Sequence, residues 1–333
     1  MGRHPRIEFD GAIYHVMSRG NRREPIFLDD DDNQMFLDAL NEVCARTGWR
    51  MHAFVLMGNH YHLLIETPEG NLVDGMRWLQ GTYTKRFNIR HNQWGHLFQG
   101  RYKSLLIDPG GDYFQTVSSY IHLNPARVKG YDYKNRSLIE YRWSSYPLYL
   151  CPSERSENLV VERTLGNLGW HDDAVGREGY LQYMRKRVLE LASSKTPWAV
   201  DEQWENIRGD WCLGGEEFRN QMMRRLDGVL SGKHRESYRG DEVKKHDMYA
   251  AEKLVETGLE KLDLSSTDLT ELKKSDSRKK VIAWFIRKRT SVKNEWISKR
   301  LAMGSVTKLS SFVSEVDRVS EGELFTLKKR VER

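Results

Sequence analysis

Residues Ala12–Arg19 read as a strand. The spacing of apolar positions then becomes helical. Met35, Phe36, Leu40 and Val43 recur every three or four residues behind an acidic run at 29–32, which is suited to cap a helix and complement its dipole. Residues 50–56 and 61–66 are two strands around a short Gly58-Asn59 turn. Residues 72–87 form a second amphipathic helix and Lys103–Ile107 a short strand. Asp112 starts a third helix, with Gln115 three residues on as its capping-box partner. Pro125 ends that helix, because proline disfavours helical geometry in the residue before it. The order strand, helix, strand, strand, helix, strand, helix puts two strands next to each other, which implies antiparallel pairing. The pattern predicts an α+β sandwich with the sheet on one side and helices on the other.

From about residue 151 to 239 the pattern is helical and polar, without clear chemistry. Residues 231–245 are dense in charge and read as a linker; 246–333 are helical again and basic. The expected division is therefore 1–150, a helical connector and linker over 151–245, and a helical region over 246–333. No internal repeat or low-complexity block interrupts it.

Composition narrows the function. A chain of 333 residues can bury a real core in two or three domains, and 39% hydrophobic with 30% charged residues suits a soluble globular protein. The net charge of +6 favours an anionic partner such as nucleic acid, with a solvated basic surface as the plain alternative. Cys44, Cys151 and Cys212 are odd in number, far apart and in no CxxC arrangement. They predict neither a zinc site nor a disulfide framework, and fit a reducing, cytoplasmic setting. The first residues hold no apolar signal-peptide core, and no 18-residue apolar run occurs, so neither secretion nor a membrane span is expected.

His60-Tyr61-His62 lies in a predicted strand, where alternation sends the two histidines to one face and Tyr61 to the other. Imidazoles about 7 Å apart along a strand can converge on one divalent ion, although two strand histidines are as a rule structural. On the third helix Tyr120 and Asn124 stand at i and i+4 and share a face. A tyrosine hydroxyl near a bound metal is a candidate nucleophile for a phosphodiester. An amide oxygen at Asn124 could complete the ligand set of Mg²⁺ or Mn²⁺. Taken singly, Tyr120 also reads as an aromatic packed on the sheet, and Asn124 as a helix-end cap before Pro125. A P-loop is not supported: the approach at Gly228 to Gly232-Lys233 is one residue short, and His234 stands where Ser or Thr should hold magnesium.

Together these segments resemble a known family. Tyr14-His15-Val16 with Arg19-Gly20-Asn21, then Val55-Leu56-Met57-Gly58-Asn59-His60-Tyr61-His62, then Tyr120-Ile121-His122-Leu123-Asn124-Pro125-Ala126-Arg127, with Trp143-Ser144-Ser145-Tyr146 downstream, resemble the single-tyrosine HUH transposases, in particular the REP-associated tyrosine transposases. The resemblance covers about residues 5–150. It implies a ferredoxin-like antiparallel sheet carrying the histidines and a helix carrying the tyrosine. It further implies cleavage of single-stranded DNA, often beside a hairpin, with a 5′-phosphotyrosine, a free 3′-OH, a divalent cation and no ATP. The middle residue of the histidine motif is usually a plain aliphatic in that family; here it is Tyr61. Relatives often carry Gln or His as third ligand, where this chain has Asn124.

Residues 278–300 hold nine Lys or Arg and one acid, Glu295, yet keep Val281, Ile282, Trp284, Phe285, Ile286, Trp296 and Ile297. Helices over 278–289 and 294–301, a Met303-Gly304 turn, and a third helix capped by Ser305 and carrying Lys308 and Ser310 read as a helix-turn-helix that would bind duplex DNA. The segment is similar to the DNA-binding end of bacterial replication initiators.

The reading is thus a metal-dependent nickase and strand transferase for single-stranded and hairpin DNA. Tyr120 is the nucleophile, and His60, His62 and Asn124 are the metal residues. Arg101, Lys103 and Arg127 are phosphate contacts. Two alternatives stay open: a DNA- or RNA-binding regulator on the same fold without catalysis, and a metal phosphodiesterase that uses water. Monomer and dimer are equally compatible with the sequence.

Overall fold

Strands β1 (Ala12–Arg19), β2 (Arg50–Met57) and β3 (His60–Thr67) bury almost every side chain they carry, so neither face of their sheet can be left to water. The structure is a computed structural model that describes residues 6–128, 130–193, 211–230, 241–290 and 292–332. These residues fall into two units, one spanning Arg6–Arg225 and the other formed from Leu226 onward. Among them no helix is long and apolar enough to cross a membrane.

The sheet of the first unit has the order β2-β3-β1-β4-β5, with β4 at Lys103–Ile107 and β5 at Cys212–Leu213. The α+β class is as expected, and β1 to β4 pair antiparallel. The two-residue β5 pairs parallel to β4, which makes the sheet mixed.

Helices cover both faces rather than the single side expected. Leu63, Leu64 and Ile65 are consecutive and all fully buried, so the sheet needs apolar cover above and below. On one face stand α1 (Asp30–Thr47) and α2 (Leu72–Arg90), with Phe36 4.8 Å from Tyr61 and 5.0 Å from Tyr83 between ring centroids. On the other lies α3 (Tyr113–Leu123). Its Phe114, Val117, Tyr120 and Ile121 pack on Ile13, Ala53, Val55, Leu64, Leu105 and Ile107. Short helices α4 (Tyr146–Leu150) and α5 (Glu162–Gly166) and the longer α6 (Ala174–Ser193) back α3; α7 spans Glu216–Leu230.

Local signals were used in three ways. The acidic run caps α1: Asp29 accepts from the Asp32 amide at 3.0 Å, and buried Asp32 is neutralised by Arg90 at 2.6 Å. The capping box at Asp112 does not form. Gln115 is buried, and its amide donates along the helix to Ser119 Oγ at 3.0 Å, out of reach of the helix start. α3 ends at Leu123, as Pro125 implies, although the chain keeps turning: Pro125 sits in the first turn of a 3₁₀ helix, Asn124–Arg127, where no N–H partner is required of it.

The second unit comprises α8 (Asp241–Lys261), α9 (Asp268–Glu271), α10 (Ser277–Arg289), α11 (Asn294–Arg300), α12 (Val306–Arg318) and α13 (Gly322–Glu332). Val281, Ile282, Trp284, Phe285 and Ile286 of α10 form its core with Val255, Ile297, Leu301 and Leu309. Buried Lys279 donates to the carbonyls of Leu272 (3.1 Å) and Ala302 (3.3 Å). Ser305 takes the N-cap position of α12, but its hydroxyl pairs with Thr307 Oγ1 at 2.7 Å rather than capping the backbone. Of the expected linker, residues 231–240 lie outside the described residues and 241–245 begin α8; residues 231–234 of the P-loop-like stretch also lie outside them.

Gly75 in α2 stands against Trp49, whose indole Nε1 donates to Asn71 Oδ1 at 2.7 Å. A Cβ on Gly75 would overlap Trp49 Cζ2. Gly75→Ala should gain up to about 1 kcal/mol of helix propensity. The overlap in a filled core should cost on the order of 1–3 kcal/mol. The net outcome expected is destabilisation, read as a lower urea midpoint with an unchanged m-value.

Candidate active site

The pairing of β1 with β3 builds the site. Arg19 lies opposite His60 and Met17 opposite His62, while on the other side Met17 pairs with Lys103 of β4. By strand alternation His15, Met17, Arg19, His60, His62 and Lys103 share the face that α3 covers. Tyr61 points the other way: it is fully buried, with its ring on Phe36 and its hydroxyl accepting from Gln80 Nε2 at 3.0 Å. This packing explains why an aromatic can stand between the two histidines.

Each histidine is oriented by a neighbour. Gly20 lets the loop after β1 fold back, since a Cβ there would overlap the Glu24 carbonyl. That loop brings the Arg23 carbonyl to Asn59 Nδ2 at 3.0 Å, which leaves Asn59 Oδ1 facing His60 Nδ1 at 2.8 Å. An amide oxygen only accepts, so His60 Nδ1 carries the proton and Nε2 the lone pair. Burial, then the nearby Arg19 guanidinium, lowers His60 to about 4, so it is neutral at pH 7 as a metal ligand must be. His62 Nδ1 meets His15 Nε2 at 2.9 Å, with the two rings stacked at 5.1 Å. Burial lowers His15 to about 3.

Tyr120 arrives from α3 with its ring 5.5 Å from that of His62 and edge-on; the rings of His60 and His62 are 5.2 Å apart. Arg127 lies over the Tyr120 ring at 4.8 Å. Asn124 Nδ2 donates to the Tyr120 carbonyl at 3.2 Å, a helix-end bond that does not involve Oδ1, the atom a metal would use. Among the described residues no group of three or more His, Cys, Asp or Glu could hold a metal. The donor set on offer is two oriented imidazoles and, from Asn124, one amide oxygen. That mixed nitrogen and oxygen chemistry would suit a divalent ion such as Mn²⁺ or Mg²⁺.

The structure therefore brings Tyr120, His60, His62 and Arg127 together within one chain. It places Lys103 in the same cross-strand row as His62, two strands away. Arg101 is exposed just ahead of β4, whereas Lys308 and Ser310 are exposed on α12 of the second unit. Arg19 and His15 were not singled out as site residues from sequence. Their alternation along β1 was visible, but what they face depends on the register with β3.

A buried polar chain anchors α3. Tyr180 hydroxyl meets His122 Nδ1 at 2.6 Å, and His122 Nε2 meets Ser145 Oγ at 2.7 Å. Ser145 Oγ in turn accepts from the Phe54 amide at 2.9 Å and lies 3.3 Å from the Phe54 carbonyl. One proton arrangement satisfies every member: Tyr180 donates to Nδ1, Nε2 donates to Ser145, and Ser145 donates to the Phe54 carbonyl. Burial holds His122 neutral, lowering it to about 3. Ser145→Ala leaves His122 and the Phe54 amide without this partner. It should destabilise the unit by on the order of 2 kcal/mol. Amide hydrogen exchange should speed up most in α3, whereas exchange spread evenly over the unit would count against the anchor.

Residues 8–124 match the family model described as "Transposase IS200 like". The comparison with curated proteins gives no match. Among solved structures, a REP-associated tyrosine transposase bound to a REP hairpin is 19% identical, with 49% of this chain and 94% of that chain covered and a TM-score of 0.38. A candidate transposase from Deinococcus radiodurans R1 is 20% identical, with 36% and 95% covered and a TM-score of 0.27. The matched residues 8–124 hold β1 to β4, both histidines and Tyr120, so the similarity to the IS200-like transposases rests on the sheet and helix that carry the site.

Proposed function

We propose that the first unit nicks and rejoins single-stranded DNA, including strands beside hairpins, with Tyr120 as nucleophile. The observation that carries this is the placement of the Tyr120 ring against His62, itself beside His60, on a helix anchored by a saturated hydrogen-bond chain. The Tyr120 oxygen attacks the scissile phosphorus and gives up its proton. The bond from phosphorus to the 3′ oxygen breaks, and that oxygen leaves as a free 3′-OH. The 5′ end stays on the protein as a phosphotyrosine ester, which a second 3′-OH can attack to rejoin strands. His60, His62 and Asn124 would hold a divalent ion, which supplies polarisation of the phosphate. Arg127, stacked on the Tyr120 ring, and Lys103, in the His62 row, would contact phosphate oxygens, and exposed Arg101 the flanking strand. The assignment to Tyr120 over Tyr61 rests on Tyr61 being buried on the opposite face.

Tyr120→Phe keeps the ring and removes one oxygen. The expected outcome is an unchanged fold and DNA affinity, with no strand cleavage and no denaturant-resistant adduct on labelled hairpin DNA. Full cleavage by this variant without any adduct would favour a water-using phosphodiesterase. Wild-type protein that binds hairpin DNA but never cuts it would favour a regulator. Chelation, or His60→Ala with His62→Ala, should also abolish cutting, and Mn²⁺ or Mg²⁺ should restore it after chelation. Undiminished cutting in excess chelator would sink the metal role.

For the second unit, α11 and α12 are consecutive helices joined by a short turn, and Lys308 and Ser310 are exposed on α12. This geometry supports a helix-turn-helix that contacts duplex DNA, with α12 in the groove. Lys308→Gln should weaken duplex binding at low salt and reduce the slope of log K against log salt by about 1. Identical slopes for variant and wild type would remove Lys308 from the interface.

A further inference from the structure

His15 is fully buried in β1, between Leu64 and Leu105 on the neighbouring strands and 5.9 Å from the Tyr120 ring. These two cross-strand neighbours are apolar and would suit leucine there. A histidine brings two polar nitrogens into that environment. Only one of them finds a partner: Nε2 meets His62 Nδ1 at 2.9 Å, and Nδ1 has no hydrogen-bond partner among the described residues. Packing alone does not account for such a choice, because an unmatched buried polar atom is unfavourable.

Resting on the reading of His60 and His62 as metal ligands, we infer that His15 is a positioning residue that accepts the Nδ1 proton of His62 and so turns the Nε2 lone pair of His62 toward the ion. A neutral imidazole carries one proton. If His62 is to offer Nε2, that proton must sit on Nδ1 and needs an acceptor, which His15 Nε2 supplies at 2.9 Å. His15 then keeps its own proton on Nδ1, which is the unmatched atom. Asn59 plays the same part for His60 through its amide oxygen, so both histidines would be set in the same tautomer by separate partners. The stacking of His15 on His62 at 24° between ring planes also limits rotation of the ligand ring.

The test uses full-length protein and metal alone, without DNA. His15→Leu should bind Mn²⁺ about 10–100-fold more weakly than wild type, while His15→Gln, whose side-chain oxygen can accept the same proton, should stay within a few-fold. Equal Mn²⁺ affinity for wild type and Leu variant overturns the role, as does an equal loss in both variants, which would mean that ring shape alone matters. A measurement on unmutated protein stands whether or not the variants fold: ¹⁵N-resolved imidazole spectra with Zn²⁺ should find the protons of both His62 and His15 on Nδ1. A proton on Nε2 of either ring overturns the inference. Wild-type protein that takes up neither Mn²⁺ nor Zn²⁺ overturns the metal site itself, a result distinct from losing only the contribution of His15.

Discussion

The antiparallel register between β1 and β3 sets where the candidate histidines of the first unit stand. It places Arg19 against His60 and Met17 against His62, with His15 one step along the same face. A slip of one residue would turn both histidines into the layer under α1 and α2 and bring Tyr61 to the site instead. Burial alone does little to hold that register, because both faces of the strands are largely buried. The turn joining β2 to β3 is fastened from outside instead: the Gly20 amide donates to the Asn59 carbonyl at 2.9 Å, and the Ile26 and Phe27 amides donate to the Gly58 carbonyl at 2.9 and 3.2 Å. The fastening that fixes the turn also presents Asn59 to His60.

Helix α3 is held differently. Its apolar side chains would tolerate small shifts along the sheet, since hydrophobic contacts are weakly directional. The Tyr180, His122, Ser145 and Phe54 chain removes that freedom, because each bond has a length and a direction and a half-satisfied buried network is costly. Residues 143–145 serve as the bridge: the Leu56 amide donates to the Trp143 carbonyl and the Ser145 amide to the Phe54 carbonyl, so this segment is laid along β2. Tyr120 is thereby delivered to the histidines by a helix with little play.

In the second unit much of the basic character is spent internally. Lys280 pairs with Glu315 at 2.8 Å, Lys288 with Asp317 at 2.9 Å and Arg300 with Glu252 at 2.7 Å, while Lys279 is buried on two carbonyls. Arg278 pairs with Asp276 at 3.1 Å. Arg287, Lys293 and Lys299 are left exposed, with Lys308 on α12. A surface contact with DNA would therefore use far fewer charges than the density of Lys and Arg along the chain implies.

Period and local chemistry were enough to read β1, β4, the adjacent strands β2 and β3, the capped start of α1 and the presence of α3, because those features depend on residues close in sequence. The pairing of His60 with His62 on one face, and the turning away of Tyr61, also follow from strand alternation alone. What the residues by themselves left open was everything set by long-range register. The second helical layer answers a burial demand that belongs to the assembled sheet. Gln115 turned along its helix to Ser119, whose hydroxyl meets Tyr183 of α6 on that buried face. Nothing adjacent to His15 in the chain marks it as the partner of His62, and Ser145 reveals its part only where β2 and α3 close upon it. Sequence determined which elements form and which way their side chains alternate. Tertiary structure decided which of those side chains meet, since a hydrogen bond between residues 47 apart exists only after both strands have been paired in one register.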